Sequence, residues 1–385
     1  MFKIATLNKI SPKGLAKLDY KYEIIDDVNE ADGILVRSYK MHDMAFSKNL
    51  KAIARAGAGV NNIPLERCAE EGIVVFNTPG ANANAVKELV FAGMFADARN
   101  IVAGVEWAKT LDPAGIGDAV EKGKGGFAGT ELRGKTIAVI GLGAIGVAVA
   151  NTASDLGMVV VGYDPYMSVF SAINLSRKIS VVQTLEKALA KADYVTVHVP
   201  AMDSTKGMIN ADCFQAMKRG VKLVNFARGE IVDQDALEAA LNGGKVSKYI
   251  TDFPSARFIQ NEKVLSIPHL GASTAEAEEN CAMMAAEEIA DYLENGNITN
   301  SVNFPSCSMG VSQSQGRIAI IHKNKTDAIT NITAAMNGLN VIIEHMTTVS
   351  KGSIAYCLID ANRTITEEEK DSIRFDGLIS VRVVK

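Results

Sequence analysis

The stretch Lys135 to Asp164, KTIAVIGLGAIGVAVANTASDLGMVVVGYD, limits what this chain can fold into more than any other. Thr136 to Ile140 is a short, β-rich apolar run, the pattern of a strand buried on both faces. It enters Gly141-Leu142-Gly143-Ala144-Ile145-Gly146 directly, and the following Val147 to Leu156 is small or apolar with a polar face at Asn151, Thr152 and Asp155, which predicts a helix. A second apolar run, Met158 to Tyr163, stops at Asp164. Strand, glycine turn, helix, strand and terminal acid in this register make a dinucleotide-binding unit. Gly141 permits the tight turn, Gly143 lets backbone approach a pyrophosphate, and Gly146 lets helix and strand pack closely. The helix N-terminus supplies free N–H groups and a partial positive charge. Asp164 is placed to accept hydrogen bonds from ribose hydroxyls, and Pro165 stands where a 2′-phosphate would need an arginine. The cofactor read from this stretch is therefore NAD, not NADP.

With 385 residues the chain exceeds one ordinary core, and 48% hydrophobic with 22% charged residues fits a globular chain of two or three domains. A net charge of −4 gives no general attraction for nucleic acid, so any anion site must be local. Cys68, Cys213, Cys281, Cys307 and Cys357 are scattered without a CxxC pair, which points to buried thiols in a reducing compartment and to no metal site. The first residues, MFKIATLNKI, carry no leader pattern, and no apolar run approaches membrane-spanning length, so the expected location is the cytoplasm.

Strand and helix signals alternate on both sides of the dinucleotide unit. Strands are predicted at Phe2 to Leu7, Gly33 to Val36, Leu50 to Ala54 and Ile73 to Phe76, and beyond the unit at Ala192 to Val199, Val221 to Phe226, Val246 to Asp252 and Val264 to Ile267. Such alternation implies parallel sheets with helices on both faces, where ligands sit outside the carboxyl ends of the strands. Arg37, Arg55 and Asn77 all lie at such ends. Apolar spacing from Asn84 to about Thr110 predicts one long buried helix, and Thr274 to Leu293 predicts another whose acidic start, TAEAEEN, complements its dipole. Asn295 to Gln315 has the Asn, Ser and Gly content of a linker. From Gly316 the order strand, helix, strand, strand, helix, strand gives a ferredoxin-like βαββαβ module, small enough that it is expected to pair with a copy of itself to bury an edge or face.

These motifs together resemble the D-isomer-specific 2-hydroxyacid dehydrogenases. The resemblance rests on Arg55-AGAGVNN, Asn77-TP, GLGAIG from Gly141, Tyr163-Asp164-Pro165, His198-Val199-Pro200, Val224-NFARGEIVD-Asp233 and Pro268-HLGAST-Thr274, and it runs from Met1 to about Asn303. The C-terminal module resembles an ACT domain, a small amino-acid-binding regulatory unit. The fold implied is α/β: two Rossmann-like doubly wound parallel-sheet domains followed by a ferredoxin-like βαββαβ domain. The corresponding segments are 1–93 with 270–303 for substrate, 94–269 for NAD, 304–315 as linker and 316–385 as the ACT-like module.

The resemblance implies NAD-dependent oxidation of a phosphorylated 2-hydroxy acid. Arg228 would hold the substrate carboxylate through two parallel charge-assisted bonds, and His269 would exchange the proton as hydride moves. Arg37 and Arg55, with Lys40 in support and Ser38, Ala56, Gly57 and Asn77 around them, would take the rest of the substrate and its phosphate. Besides the glycine loop and Asp164, the cofactor would meet Thr78, Ala144, Ile145, His198, Val199, Pro200, Thr205, Phe226, Ala227, Asp252, Gly271 and Ala272. The family places a glutamate shortly after the Asp-Val-Phe strand end to pair with the catalytic histidine. This chain reads Thr251-Asp252-Phe253-Pro254-Ser255-Ala256-Arg257-Phe258 there, and no catalytic carboxylate is assigned. In the C-terminal module His322, Asn324 and Asn340 match the positions that hold L-serine in serine-binding ACT domains, although Thr326-Asp327 replaces the usual Pro-Gly. A homodimer or homotetramer is expected. Two other readings share the motifs: a dehydrogenase of unphosphorylated substrates such as glyoxylate or hydroxypyruvate, and a non-catalytic NAD(H)-sensing binding protein.

Overall fold

The computed structural model describes all 385 residues. The chain forms two compact units, Met1–Asn82 with Ala275–Lys385, and Ala83–Thr274. In the first unit five parallel strands, β1 (Phe2–Leu7), β2 (Tyr22–Ile25), β3 (Gly33–Val36), β4 (Ala52–Arg55) and β5 (Val74–Phe76), lie in the order β2-β1-β3-β4-β5. Strands β3 to β5 are almost wholly buried, as near-continuous apolar runs must be in a sheet covered on both faces. One cover is the helix Ala275–Asn295, whose Ala282, Ala285, Ala286 and Ile289 recur at helical spacing and are buried. Edge strand β2 is absent from the sequence reading because only its end residues, Tyr22 and Ile25, are partly shielded, which leaves no strand period to read.

The second unit holds seven parallel strands: β6 (Thr136–Ile140), β7 (Val159–Tyr163), β8 (Ser180–Val181), β9 (Tyr194–Val197), β10 (Val221–Asn225), β11 (Val246–Thr251) and β12 (Val264–Ser266). Their order is β12-β11-β10-β9-β6-β7-β8. The direction of winding therefore reverses between β6 and β9, the switch point where doubly wound sheets open a crevice at their carboxyl ends. The helix Ala144–Asp155 follows β6 and buries Gly146, Val147, Val149, Ala150 and Ala153 against the sheet.

The expected single helix over Asn84 to Thr110 is two. Ala83–Ala98 buries Val86, Val90, Phe91 and Met94. Asn100 then adopts a left-handed conformation with φ of 51°, which asparagine tolerates better than most residues, and a second helix, Ile101–Ala108, leaves in a new direction. None of its residues is buried: Ile101, Val102 and Val105 are each about half exposed, so its apolar spacing does not mark a core face.

The last segment forms β13 (Gly316–Lys323), β14 (Ile343–Lys351), β15 (Ile354–Ala361) and β16 (Leu378–Val383), antiparallel in the order β14-β15-β13-β16, with helices Ala328–Gly338 and Glu367–Ser372. This is the βαββαβ arrangement read from the sequence. One face, with Ile318, Ile320, Cys357 and Ile359, packs on its own helices. The other, with Ala319, Ile321, Tyr356 and Leu358, shares a core with Phe76, Tyr292, Leu293 and Phe304 of the same unit. The sheet face that seemed to call for a second copy is thus covered from within the chain. The stretch taken for a linker is equally tied down: Phe304 and Cys307 are buried, and Asn297 donates to Gly310 O at 3.3 Å.

At the centre of this junction lies a buried ion pair. Arg317, with a fully buried side chain, donates from Nε and Nη2 to the two Asp360 oxygens at 2.6 and 2.9 Å. Its Nη1 reaches Asn295 O at 3.0 Å, and Ser312 donates to Asp360 at 2.8 Å. All five cysteines are free and buried, as expected. No helix is long and apolar enough to cross a membrane.

Candidate functional site

In the second unit the glycine loop between β6 and its helix has the geometry its spacing requires. Gly141 has φ of +91°, and a Cβ there would lie 2.6 Å from the His198 carbonyl oxygen. A Cβ on Gly146 would lie 1.8 Å from Gly141 O, so the helix start and strand end approach as only glycine allows. Gly143 is the N-cap of the helix, no side chain caps it, and nothing stands within 4 Å of where its Cβ would be. The amides of Ala144 and Ile145 therefore open a helix N-terminus to an incoming anion. Asp164 follows β7, its carboxylate fixed beside the loop by Leu142 N and Tyr166 N, each at 2.8 Å. These residues fit a bound dinucleotide.

His198 and Val199 close the other side of the switch point, with the Val199 side chain against Gly141. Thr196 Oγ1 lies 2.9 Å from His198 Nε2, while Nδ1 is buried with no partner. Burial pushes the His198 imidazole down to about 3, so it is neutral across the physiological range and is not an acid–base group there. Thr205 donates from Oγ1 to Pro200 O at 2.6 Å and pins the next loop.

Arg228 comes from the turn after β10. Buried Asn225 shapes that turn: its Oδ1 accepts Ala227 N at 3.1 Å and its Nδ2 donates to Arg228 O at 2.9 Å. Phe226 is buried against Gly93, while Arg228 is half-buried and donates from Nη1 to Ala227 O at 2.7 Å. His269, exposed after β12, sets its ring 4.7 Å from that of Phe253 at an interplanar angle of 51°. Phe253 also flanks Gly229, where a Cβ would lie 3.4 Å from the Phe253 Cβ. Phe253 thus touches both the residue after Arg228 and the His269 ring.

Asp252 is fully buried and accepts Gly271 N on Oδ2 at 3.0 Å, while its Oδ1 is buried with no partner. Burial pushes its carboxyl up, opposed by the Gly271 N–H and by the charge of His269. Ala272 is exposed just beyond. No acid lies between Pro254 and Phe258, and Arg257 in that loop turns to Asp235 and Glu238 instead.

In the first unit the substrate candidates gather at the carboxyl ends of β3 to β5. Asn8 Oδ1 accepts Ser38 N and Tyr39 N at 2.9 and 2.7 Å, and so fixes the turn that carries Arg37, with Lys40 exposed beyond it. Ala56 N donates to Val36 O at 2.8 Å, and Arg55 Nε donates to Arg37 O at 2.9 Å. A Cβ on Gly57 would lie 2.5 Å from Arg55 Nη1, so the bare glycine is what lets that guanidinium lie over the turn. Thr78 N donates to Gly57 O at 3.2 Å and Asn77 Nδ2 to Ala58 O at 2.6 Å. Arg37 itself pairs with Glu278 of the helix Ala275–Asn295. The acidic start read as a dipole complement therefore also supplies a counter-ion to an expected phosphate ligand. The sequence reading gave Asn8, Glu278 and Phe253 no part in the site; only the strand-end position of Asn8 could have signalled it.

In the C-terminal module His322 and Asn324 lie together ahead of the helix Ala328–Gly338, with His322 buried, its Nδ1 2.9 Å from Lys323 O and its Nε2 unpartnered. Asn340 follows the far end of that 11-residue helix, so one chain does not assemble the three expected serine ligands.

Residues 91–271 match the family described as D-isomer specific 2-hydroxyacid dehydrogenase, NAD binding domain. With the Rossmann strand order and the glycine-loop geometry, that match makes residues 91–271 the NAD-binding domain of a D-isomer-specific 2-hydroxyacid dehydrogenase, and the cofactor is NAD. Within that family the chain is similar to D-3-phosphoglycerate dehydrogenases. It is 39% identical over 294 residues to that of Archaeoglobus fulgidus, covering 74% of this chain and 54% of the relative. Against the Bacillus subtilis enzyme the identity is 33% over 333 residues, covering 80% and 60%, and against the Homo sapiens enzyme 36% over 293 residues, covering 74% and 52%. The chain spans about half the length of the curated relatives it matches. Among solved structures, the NAD+-bound 3-phosphoglycerate dehydrogenase of Entamoeba histolytica aligns with a TM-score of 0.62 at 26% identity, covering 78% of this chain and 98% of that one.

Proposed function

We propose that this chain is an NAD-dependent 3-phosphoglycerate dehydrogenase, oxidising 3-phospho-D-glycerate to 3-phosphohydroxypyruvate, the first step of L-serine synthesis. The observation that carries the proposal is that Phe253 flanks both Gly229, the residue after Arg228, and the exposed imidazole of His269, in the unit whose sheet carries the dinucleotide loop. The names of its relatives support the phosphorylated substrate. NAD, when bound, accepts the hydride. Arg228 receives the substrate carboxylate on the N–H groups it does not spend on Ala227 O, and polarises the neighbouring 2-oxygen. His269 takes the proton from that oxygen. Arg37 and Arg55 receive the phosphate, with Arg37 exchanging Glu278 for it.

NADH formation with 3-phosphoglycerate, beside hydroxypyruvate and glyoxylate reduction, tests this directly. Turnover of the unphosphorylated compounds alone would move the chain to another branch of the family. The same assay with and without L-serine tests regulation through the C-terminal module, which this reading treats as ACT-like, and light scattering tests the proposed homodimer or homotetramer.

Arg37→Ala should raise KM for 3-phosphoglycerate about tenfold or more, the scale of one lost charge-assisted bond to phosphate. It should leave an unphosphorylated 2-hydroxy acid within about twofold, because that substrate has nothing to offer the guanidinium. Equal changes for both substrates would remove Arg37 from phosphate recognition.

A further inference from the structure

We propose that Phe253 is the residue that positions His269, doing by ring contact what the family's absent glutamate does by a hydrogen bond. The inference rests on the dehydrogenase reading above and extends it. An acid–base imidazole needs its reactive nitrogen aimed within a fraction of an ångström, and an exposed side chain with no hydrogen-bonded partner would sample several rotamers. His269 is such a side chain. No carboxylate stands at the place where the family has one, and Arg257, the charged side chain next to that place, is held by Asp235 and Glu238. What does touch the imidazole is the Phe253 ring, at 4.7 Å and a tilt of 51°, within the separations at which aromatic pairs attract.

The support continues on both sides of that ring. Phe253 N donates to Thr251 Oγ1 at 3.1 Å, which ties the residue to the end of β11. Its Cβ sits against Gly229, so the same side chain spaces the Arg228 turn from His269. Its neighbour Asp252 is buried and grips Gly271 N at 3.0 Å, two residues beyond His269. The dipeptide Asp252-Phe253 therefore holds the His269 segment by its backbone and by its ring.

The test compares Phe253→Leu, Phe253→Tyr and His269→Ala in steady-state NADH formation with 3-phosphoglycerate, in H2O and D2O, with NAD binding followed by calorimetry. Phe253→Leu keeps most of the volume and loses the ring. It should lower kcat about tenfold, leave KM for both substrates and the NAD Kd within about twofold, and enlarge the solvent isotope effect, because proton transfer becomes slower than the steps around it. Phe253→Tyr should restore kcat to within about threefold of the original. The proposal is overturned if Phe253→Leu keeps full kcat, if it raises the NAD Kd with kcat unchanged (a cofactor wall), or if Phe253→Tyr is as slow as Phe253→Leu. Normal NAD binding by Phe253→Leu shows that the unit is folded, and if that variant does not fold the Phe253→Tyr comparison with wild type decides alone through its isotope effect. An active His269→Ala would instead sink the reading of the site itself.

Discussion

Replacing His269 by alanine should lower kcat for NADH formation by about 10²–10⁴-fold, the contribution of a positioned general acid–base group. On the proposed reading the loss falls on kcat with little change in KM for 3-phosphoglycerate, because His269 is assigned the proton transfer and not the binding of the substrate's anionic groups. Misfolding cannot produce this result cheaply. His269 is exposed and makes no hydrogen bond, so its removal strips one ring from Phe253 and opens no core. The loop would stay in register through Gly271 N and Asp252. Residual turnover is expected above the uncatalysed rate, since Arg228 still polarises the reacting oxygen. The buried His198 cannot substitute: burial pushes its pKa down to about 3, which makes it too weak a base to take the proton at neutral pH, and its Nε2 is already paired with Thr196. Stopped-flow and steady-state assays at saturating NAD decide the matter, and wild-type kcat in His269→Ala would end the acid–base assignment.

Much of this architecture was legible because its constraints are local. The glycines at 141 and 146 are dictated by approaches of 2.6 and 1.8 Å that no side chain survives, and such positions appear in sequence as unmistakable spacing. Strand and helix alternation gave both parallel sheets for the same reason, as did the βαββαβ order of the last segment. What escaped notice depends on partners far away in the chain. The Asn100 break is a choice of one backbone well by a residue that also fits a helix. Edge strand β8, Ser180–Val181, is two residues long and exposed, too short for any period to show. Glu278 sits in an acidic helix start that its dipole already explains, and only the fold reveals Arg37 beside it. Phe253 looks like any apolar residue at a strand end. One tertiary feature could have been read: β13 and β15 carry unbroken apolar runs, Ile318 to Ile321 and Ala355 to Ile359, whereas a sheet wet on one face alternates. Those runs announce the second cover that Phe76, Tyr292 and Phe304 provide.

Asp360→Ala should destabilise the first unit by about 3–5 kcal/mol, the usual consequence of leaving one member of a buried ion pair alone. Arg317 would keep its charge in a side chain with no solvent exposure, losing two of its charge-assisted bonds and retaining only carbonyls such as Asn295 O. For a unit of this size that loss corresponds to a fall in Tm of roughly 10 °C. The effect should not stay within the C-terminal module. Arg317 reaches the end of the helix Ala275–Asn295, and Tyr356 donates to Gly296 O at 2.6 Å, so the clamp and the substrate strands share one core. Removing residues 304–385 altogether should then yield an aggregating fragment, not a smaller dehydrogenase, because Phe76, Tyr292 and Leu293 would face water. The acid dependence of Asp360 has a definite sign. Burial alone would push its carboxyl up, but the hydrogen bonds and charge of Arg317, with Ser312, hold it below the ordinary carboxylate range. A depressed folded value means the pair stabilises fully above the unfolded value of about 4 and fades as pH falls through the folded one. Thermal melts of the wild type and of Asp360→Asn should therefore differ most at neutral pH and converge below pH of about 4. A gap that persists undiminished well below pH of about 4 would show that Asp360 acts through its shape and not through its charge.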